Sequence, residues 1–337
     1  MKQQKIGRTD IEVSAISLGT WSMGGDTQWG TQDDEGSLKA IDAALENGIT
    51  LIDTAPAYGF GHSEELVGKA IKRYRREDII IETKCGVWWK DDNGTKILSR
   101  DGKTIRRNLS RPAMLQEIED SLIRLGVDYI DIYVTHQQPL PPFHVEIQEI
   151  MDTLQDLKKA GKIRAVGVSN VTLNQLQEYL QYGQVDLVQE RYSMLDQKKV
   201  QSFLPICMTN QITVQAYTPL EQGLLTGKIG MDYVLDPTNV RNKIPWFQQE
   251  KRRHVLDMLG GWQKLCKKYE CEITELVIAW TMSGYDKTNV ICGGRKVPHV
   301  LGYIRGGGLK LQEEDIARMN RDIDLCIQRA QEAKTGE

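Results

Sequence analysis

A six-residue apolar run, Tyr129-Ile130-Asp131-Ile132-Tyr133-Val134, is followed by a helical pattern at 146–160 and by a second apolar run, Ile163-Arg164-Ala165-Val166-Gly167-Val168. A helical pattern at 173–182 comes next, and a third short run follows at 186–189. Short β-branched runs that alternate with longer amphipathic segments are typical of parallel strands joined by crossover helices. This part of the chain therefore predicts an α/β fold with a parallel sheet.

The same alternation extends in both directions along the chain. Strands are predicted at 16–21, 50–54, 78–84, 129–134, 163–168, 186–189, 213–216 and 290–292. Helices are predicted at 35–46, from Ser63 onward, and at 112–125, 146–160, 173–182, 198–209, 272–283 and 313–329. Eight such units favour a (β/α)8 TIM barrel over a doubly wound sheet, and no G-x-G-x-x-G fingerprint follows any strand.

The ends of the chain fit the same architecture. Ile6 and the apolar segment 11–13 flank a turn, which predicts an N-terminal hairpin that caps the bottom of the barrel. The polar segment 90–111 delays the third helix, and a long insertion separates the seventh strand from its helix. No composition break divides the chain, so we expect a single barrel domain over 1–337, with extra helices.

Composition restricts the class of protein. The 337 residues are 40% hydrophobic and 26% charged, with a formal net charge of −3, which predicts a globular core and gives no basic footprint for nucleic acid. The first five residues, Met-Lys-Gln-Gln-Lys, lack the apolar region of a secretory signal, so none is expected, and no apolar run is long enough to span a membrane. The six cysteines form no CxxC pair, as expected of reduced thiols in the cytoplasm. The sequence leaves open whether the protein forms a homo-oligomer.

Polar side chains follow three consecutive predicted strands. Asp53 ends the second strand, Tyr58 lies in the loop beyond it, Lys84 ends the third strand, and His136 follows the fourth. Active sites of (β/α)8 barrels lie at the C-terminal ends of the strands. We therefore expect these four side chains to converge on one pocket.

The four side chains have complementary chemistry. A nearby ammonium favours phenolate, so we expect Lys84 to lower the pKa of Tyr58, while Asp53 keeps the lysine charged and in place. His136 can hydrogen-bond a substrate oxygen or the tyrosine. Together they predict a general acid that protonates an oxygen on which negative charge develops.

Each of these residues also has an ordinary structural interpretation. The aspartate can be a helix cap, the lysine a surface charge and the histidine a structural residue. A third interpretation makes Lys84 the Schiff-base lysine of an aldolase-like barrel. The joint placement at adjacent strand ends favours the acid–base interpretation.

Several motifs together resemble the aldo-keto reductase superfamily. They are Leu51-Ile52-Asp53-Thr54-Ala55-Pro56-Ala57-Tyr58-Gly59, Thr83-Lys84, Gly161-Lys162-Ile163-Arg164 and Gly167-Val168-Ser169-Asn170. Two further segments, at 131–136 and 219–227, are similar to the bacterial branch with methylglyoxal reductases and inositol-dehydrogenase-like proteins. The likeness extends from Gly7-Arg8-Thr9 to the last helix.

The resemblance implies an oxidoreductase that transfers hydride between a nicotinamide and a carbonyl or alcohol carbon. Tyr58 would be the general acid/base, Asp53 and Lys84 its tuning partners, and His136 the residue that orients substrate. Small aldehydes, ketones, sugars or polyols are the implied substrates. The alternative is a coenzyme-binding regulatory or redox-sensing subunit without significant turnover.

Without a Rossmann fingerprint, the loops of the barrel must hold the dinucleotide. Ser169, Asn170 and Gln189 can hydrogen-bond a carboxamide, as the matching positions of the family do, and Tyr217 offers a stacking face. A glycine-containing segment after the seventh strand could approach a pyrophosphate. Its candidate residues are Pro219, Leu220, Gly223, Leu224, Thr226, Gly227 and Lys228.

The eighth strand leads into Gly293-Gly294-Arg295-Lys296, before a short helix. Two cations near a helix N-terminus suit a phosphate, so we expect NADP(H) with its 2′-phosphate here. The following helix carries Gly302 and Tyr303 where the family often has Glu-Asn, which weakens the preference and leaves NAD(H) as an alternative.

Tryptophans are predicted to line the substrate pocket. Trp21 follows the first strand and would also face the coenzyme, and Trp88 and Trp89 follow Lys84. Lys103, Arg106, Arg107 and Arg111 could attract an anionic or polyhydroxylated substrate, or could simply be solvated. The remaining histidines show no ligand spacing, so no metal site is expected.

Overall fold

The computed structural model describes residues 1–25, 33–235 and 239–332. Its strands, in chain order, are β1 (Gln3–Lys5), β2 (Glu12–Ser14), β3 (Ile16–Gly19), β4 (Leu51–Asp53), β5 (Ile80–Cys85), β6 (Val87–Trp88), β7 (Thr95–Arg100), β8 (Lys103–Arg107), β9 (Ile130–Thr135), β10 (Ile163–Ser169), β11 (Leu187–Arg191), β12 (Thr213–Tyr217) and β13 (Thr288–Gly293). Its helices are α1 (Asp34–Glu46), α2 (His62–Ile71), α3 (Arg111–Leu125), α4 (Ile147–Lys159), α5 (Leu173–Tyr182), α6 (Lys198–Asn210), α7 (Gln249–Gly260), α8 (Gln263–Tyr269), α9 (Ile273–Thr281), α10 (Val297–Ile304) and α11 (Glu313–Glu332).

Eight parallel strands close into a barrel in the order β3-β4-β5-β9-β10-β11-β12-β13, and β13 pairs with β3. Helices lie between consecutive barrel strands, which confirms the predicted (β/α)8 fold. Some strand boundaries were wrong. The third barrel strand, predicted from Asp78, begins at Ile80 after a 3₁₀ turn, Arg76–Asp78. β3 ends at Gly19, and Trp21 instead begins a single turn of 3₁₀ helix, Trp21–Met23, in which the Met23 amide donates to the Thr20 carbonyl.

The predicted N-terminal hairpin is present and caps the barrel. β1 and β2 pair antiparallel, and Ile6, Ile11 and Val13 are buried against residues at the start of barrel strands, among them Leu51 and Leu187. This apolar layer excludes water from the N-terminal end of the barrel. The opposite, C-terminal end is therefore the end available for a site.

Local signals explain where several helices begin and end. Thr172 accepts a hydrogen bond from the Gln175 amide, and the Gln175 side chain accepts one from the Thr172 amide, which forms a capping box at the start of α5. Gly126 ends α3 in the left-handed conformation at φ +66°. None of the helices in the described ranges is long and apolar enough to cross a membrane.

The polar segment after β5 is more ordered than its composition predicts. β6, β8 and β7 form a three-stranded antiparallel sheet, and residues Asp101 and Gly102, both at positive φ, make the two-residue turn between β7 and β8. An Asp-Gly pair is a hairpin signal, but the strands around it bury little apolar surface and lack the usual alternation. The insertion before α9 likewise contains two helices, α7 and α8, that the sequence pattern missed.

Candidate active site

The four predicted catalytic side chains lie together at the C-terminal mouth of the barrel. Asp53 is the last residue of β4, Lys84 lies one residue before the end of β5, and His136 directly follows β9. Tyr58 comes from the loop between β4 and α2. The parallel register of adjacent strands brings these positions side by side.

Lys84 is the centre of this group. Its side chain is fully buried, and Nζ donates to the Asp53 carboxylate, to the Thr54 carbonyl at 2.8 Å and to the Tyr58 hydroxyl at 3.1 Å. Burial alone would lower the pKa of Lys84, but the charges of Asp53, Tyr58 and Glu82 outweigh burial and raise it. The amine is therefore a charged ammonium with three partners. This geometry is unlike that of a Schiff-base lysine, which needs a neutral amine.

The expectation that Lys84 lowers the pKa of Tyr58 is confirmed, but the net shift of this pKa is upward. Burial raises the pKa of Tyr58 above its ordinary value, and the opposing effect of Lys84 reduces that rise without reversing it. The reason is the low-dielectric surroundings of the phenol, which the sequence does not reveal. Tyr58 is thus held in its protonated, proton-donating form, while Lys84 is in place for the charge that forms when the proton leaves.

His136 lies on the other side of the phenol. The rings of His136 and Tyr58 meet edge to face with centroids 5.8 Å apart. Burial, together with the charge of Lys84, lowers the pKa of His136 well below its usual range. The imidazole is therefore neutral and can donate one hydrogen bond to a substrate oxygen.

Ser169 and Asn170, predicted to hold a carboxamide, form a connected group with Tyr217, predicted as the stacking residue, at the ends of β10 and β12. Asn170 adopts the left-handed conformation at φ +54°, and its Nδ2 donates to the His136 carbonyl at 2.8 Å and to Ser169 Oγ at 3.1 Å. The Tyr217 hydroxyl donates to Asn170 Oδ1 at 2.9 Å. The asparagine is thus oriented from both sides, next to the strand end that carries His136.

Gln189 is placed differently from the other carboxamide candidates. Its Nε2 lies inside the barrel, 2.6 Å from Glu82 Oε1, 2.7 Å from Gln215 Oε1 and 3.1 Å from Asp53 Oδ2. The donor end of this amide is therefore engaged with the barrel interior rather than with the rim.

The predicted phosphate loop follows β12 as a tight irregular turn. Pro219 is buried, Leu220 is half-buried, and a 3₁₀ segment, Glu221–Thr226, contains Gly223 at φ +103°. The Leu224 side chain is fully buried, so only its backbone could meet a ligand. Gly227 and Lys228 are exposed at the end of the turn.

Cations from two segments lie near α10. Lys296 caps this helix, and Lys228 Nζ lies close enough to α10 that a Cβ built on Gly302 would be 3.9 Å from it. Burial lowers the pKa of His299, and the positive charges of Lys296, Lys228 and Arg295 lower it further. Lys228, Arg295 and Lys296 thus bring positive charge to the surroundings of His299. Gly293, at the end of β13, is exposed, and Tyr303 is buried in the core.

The three predicted tryptophans have different positions at the C-terminal mouth of the barrel. Trp21 lies with its ring centroid 6.4 Å from that of Tyr58, and Trp89 packs edge to face on Phe60 at 5.2 Å. Trp88 is buried, and its indole N–H donates to Asp91 at 2.6 Å, so its position is that of a packing residue. Trp21 and Trp89 are better placed to line a pocket.

The cations of the β7–β8 hairpin also have distinct positions. Lys103 Nζ lies 4.2 Å from the centroid of the Phe60 ring, and Arg100 donates to the Ala57 carbonyl at 3.2 Å, which attaches the hairpin to the Tyr58 loop. Arg106 pairs with Asp92, Arg107 donates to the Gln138 carbonyl at 3.3 Å, and Arg111 pairs with Asp156 on α4 at 2.9 Å.

The sequence interpretation missed two residues of this site. Phe60 was not singled out, although it lies two positions after Tyr58. Glu82 is a buried carboxyl on β5, and its signal was present as an acid inside the apolar run 79–83. Within the described ranges, no three His, Cys, Asp or Glu side chains are grouped as metal ligands.

Comparison with known proteins gives a consistent result. The family model described as "Aldo/keto reductase family" matches residues 15–323. The chain is 42% identical over 330 residues to the NADH-specific methylglyoxal reductase of Escherichia coli (strain K12), an alignment that covers 98% of this chain and all of that protein.

Solved structures agree with that match. A glycerol dehydrogenase from Gluconobacter oxydans superposes with a TM-score of 0.84 at 31% identity, covering 97% of this chain and 95% of that one. An aldo-keto reductase from Klebsiella pneumoniae, solved with NADPH, gives a TM-score of 0.71 at 25% identity and covers 95% of each chain.

Proposed function

The chain belongs to the aldo/keto reductase family and is a nicotinamide-dependent carbonyl oxidoreductase, and from this premise we propose that Tyr58 is its general acid/base. The observation that carries the proposal is the contact of 3.1 Å between the Tyr58 hydroxyl and the buried Lys84 ammonium. Lys84 donates in that contact, so the hydrogen of the phenol is available for a substrate oxygen.

The nicotinamide, when bound, supplies or accepts the hydride. Tyr58 donates its proton to the carbonyl oxygen as negative charge develops there, and neutral His136 donates a hydrogen bond to the same oxygen. Lys84 stabilises the phenolate that remains, and Asp53 keeps Lys84 charged and oriented. In alcohol oxidation the same groups act in reverse.

The test is the variant Tyr58→Phe, which removes only the acidic hydroxyl. We expect kcat to fall by a factor on the order of 10³ or more, while the Kd of the coenzyme changes less than about twofold. Tyr182→Phe, at the end of α5, is the matched control and should retain activity. Full turnover by Tyr58→Phe would refute the role of the phenol. Tight coenzyme binding without turnover in the unaltered protein would favour a regulatory subunit instead.

For the coenzyme, the fit rests on two features of the structure. Asn170, held in a left-handed conformation between Ser169 and Tyr217, is oriented to hydrogen-bond a carboxamide. The positive charge that Lys228, Arg295 and Lys296 bring to the surroundings of His299 suits a phosphate, with the loop from Gly223 to Gly227 alongside. We propose NADPH as the preferred coenzyme and NADH as the alternative, since the Escherichia coli relative is named as NADH-specific.

Charge removal tests this preference. Lys228→Ala and Lys296→Ala should each lower kcat/KM with NADPH by about three- to tenfold and leave kcat/KM with NADH nearly unchanged, because only NADPH carries the 2′-phosphate. Lys159→Ala, at the far end of α4, is the control. Equal losses with both coenzymes would place the cations at the pyrophosphate instead.

For the substrate, we propose a small, oxygen-rich carbonyl compound of about three carbons, or the matching polyol. The two relatives named for methylglyoxal and glycerol both act on three-carbon compounds. Trp21 and Trp89 provide apolar walls, and Lys103 and Arg100 provide positive charge on the hairpin. Methylglyoxal and glyceraldehyde should give higher kcat/KM than a long aliphatic aldehyde, and the reverse order would overturn this substrate class.

We further propose that residues 1–337 act as one domain in the cytoplasm. The six cysteines all lie within described ranges and are unpaired, as expected in a reducing compartment.

A further inference from the structure

Glu82 is a fully buried carboxyl beneath the site. It lies on β5, two residues before Lys84 and therefore on the same side of the strand. Gln189 Nε2 donates to Glu82 Oε1 at 2.6 Å, and Gln215 Nε2 donates to Oε2 at 2.7 Å. Each oxygen of the carboxyl therefore has its own amide donor.

The amides are themselves fixed by neighbours deeper in the barrel. Gln215 Nε2 lies 3.1 Å from Asn289 Oδ1, and the Ser17 hydroxyl donates to that same oxygen at 2.7 Å. Asn289 Nδ2 in turn donates to the Ser14 carbonyl at 2.9 Å. A chain of hydrogen bonds thus connects Glu82 to the N-terminal hairpin and leaves the carboxyl little freedom to move.

Glu82 also faces Asp53. The two residues are partners in the register between β4 and β5, and Gln189 Nε2 lies 2.6 Å from Glu82 Oε1 and 3.1 Å from Asp53 Oδ2, so one amide group touches both carboxyl groups. Two ionised carboxylates would face one cation, Lys84, in a buried space, which strongly favours the retention of one proton.

We propose that Glu82 is a positioning residue that shares one proton with Asp53 and so determines whether Lys84 faces one negative charge or two. Three charged or titratable groups face Glu82. They are Asp53 on β4, Tyr58 from the loop between β4 and α2, and Lys84 on β5. The side chains that face it from β11 and β12 are the neutral amides of Gln189 and Gln215. This inference rests on the proposed role of Tyr58.

The consequence is a pH dependence of proton donation. Burial, together with the charge of Asp53, raises the pKa of Glu82 to about 8. As the pH rises through that value, the pair loses its shared proton to solvent, and a second negative charge opposes the ionisation of Tyr58. A weaker acid donates its proton more slowly, so carbonyl reduction slows although Tyr58 stays protonated.

The experiment measures kcat for carbonyl reduction between pH 6.5 and 9.5 at saturating coenzyme. In the unaltered enzyme, kcat should fall about tenfold around a midpoint near pH 8. Glu82→Gln removes the titrating group, so the fall should be absent from this range. Glu117→Gln, which removes another buried carboxyl outside the site, should keep the unaltered midpoint.

A second variant keeps the test decisive if Glu82→Gln does not fold. Gln215→Leu removes a donor that favours the ionised form of Glu82, so the midpoint should rise by about 0.5–1 pH unit. A flat profile in the unaltered enzyme, or an unchanged midpoint in Glu82→Gln or Gln215→Leu, would overturn the inference. If Tyr58→Phe is inactive but the midpoint in Glu82→Gln or Gln215→Leu equals that of the unaltered enzyme, only the proposed role of Glu82 is refuted. If Tyr58→Phe retains turnover, the proposed function fails.

Discussion

Replacement of Lys84 by methionine separates the electrostatic role of this lysine from its structural role. Methionine has a similar length and no charge. At 3.1 Å between Lys84 Nζ and the Tyr58 oxygen, a unit charge stabilises phenolate by about 5 kcal/mol at an effective dielectric constant of about 20. The Asp53 carboxylate cancels part of this, so we expect a loss of about 3 kcal/mol in transition-state stabilisation, a fall in kcat on the order of 10².

The same substitution leaves Asp53 buried without its cation. Removal of one partner from a buried ion pair costs about 3–5 kcal/mol of unfolding free energy. Lys84→Met/Asp53→Asn removes the orphaned charge, so it should recover most of this stability and none of the activity. Urea unfolding and kcat for carbonyl reduction, measured on unaltered enzyme and both variants, give the two quantities separately.

Two results would refute this reasoning. One is a loss in kcat below about tenfold for Lys84→Met, since the ammonium would then contribute little to proton donation. The other is recovered activity in the double variant, because the single variant would then be impaired by misfolding rather than by the lost charge.

Three further variants test other parts of the site. Gly59→Ala should lower the unfolding free energy by about 3 kcal/mol or more, because its Cβ would lie 1.9 Å from a backbone oxygen; Gly48→Ala, also at positive φ but in open space, should cost only about 1 kcal/mol in the same urea titration. Because the pKa of His136 is lowered well below its usual range, kcat/KM for reduction should show no inflection between pH 5.5 and 7.5, and an inflection there that His136→Gln abolishes would contradict this. Tyr217→Phe removes the hydrogen bond to Asn170 and should raise KM for the coenzyme about three- to tenfold with kcat within about twofold, whereas a fall in kcat alone would place the tyrosine elsewhere.

The barrel was predictable because its strands are short β-branched runs with helical patterns between them. β9 and β10 illustrate this, since both are mostly apolar and each is followed by a helix with clear periodicity. The sequence analysis missed segments that have no clear hydrophobic periodicity of their own. The β7–β8 hairpin buries little more than Ile105, and α7 and α8 lie in an insertion with weak periodicity.

The site was predictable in position and less so in electrostatics. Strand ends converge in any parallel barrel, so Asp53, Lys84 and His136 could be grouped from the sequence alone. The net pKa shift of Tyr58 could not be predicted from the sequence, because it depends on how much water reaches the phenol. The buried position of Glu82 could not be predicted for a related reason. An acidic side chain in a strand can face either the barrel interior or a helix, and only the fold determines which.

The sheet formed by β6, β7 and β8 leaves the barrel and returns to it at adjacent points. Val87 pairs with Arg107, and the Asn108 amide donates to the Gly86 carbonyl at 3.2 Å. An insertion whose two ends meet can be exchanged for another of different length without opening the strands on either side. Residues 87–107 are thus a segment in which one wall of the pocket can be redesigned for a new substrate, provided that the replacement keeps the hydrogen bond that Arg100 donates to the Ala57 carbonyl, next to Tyr58.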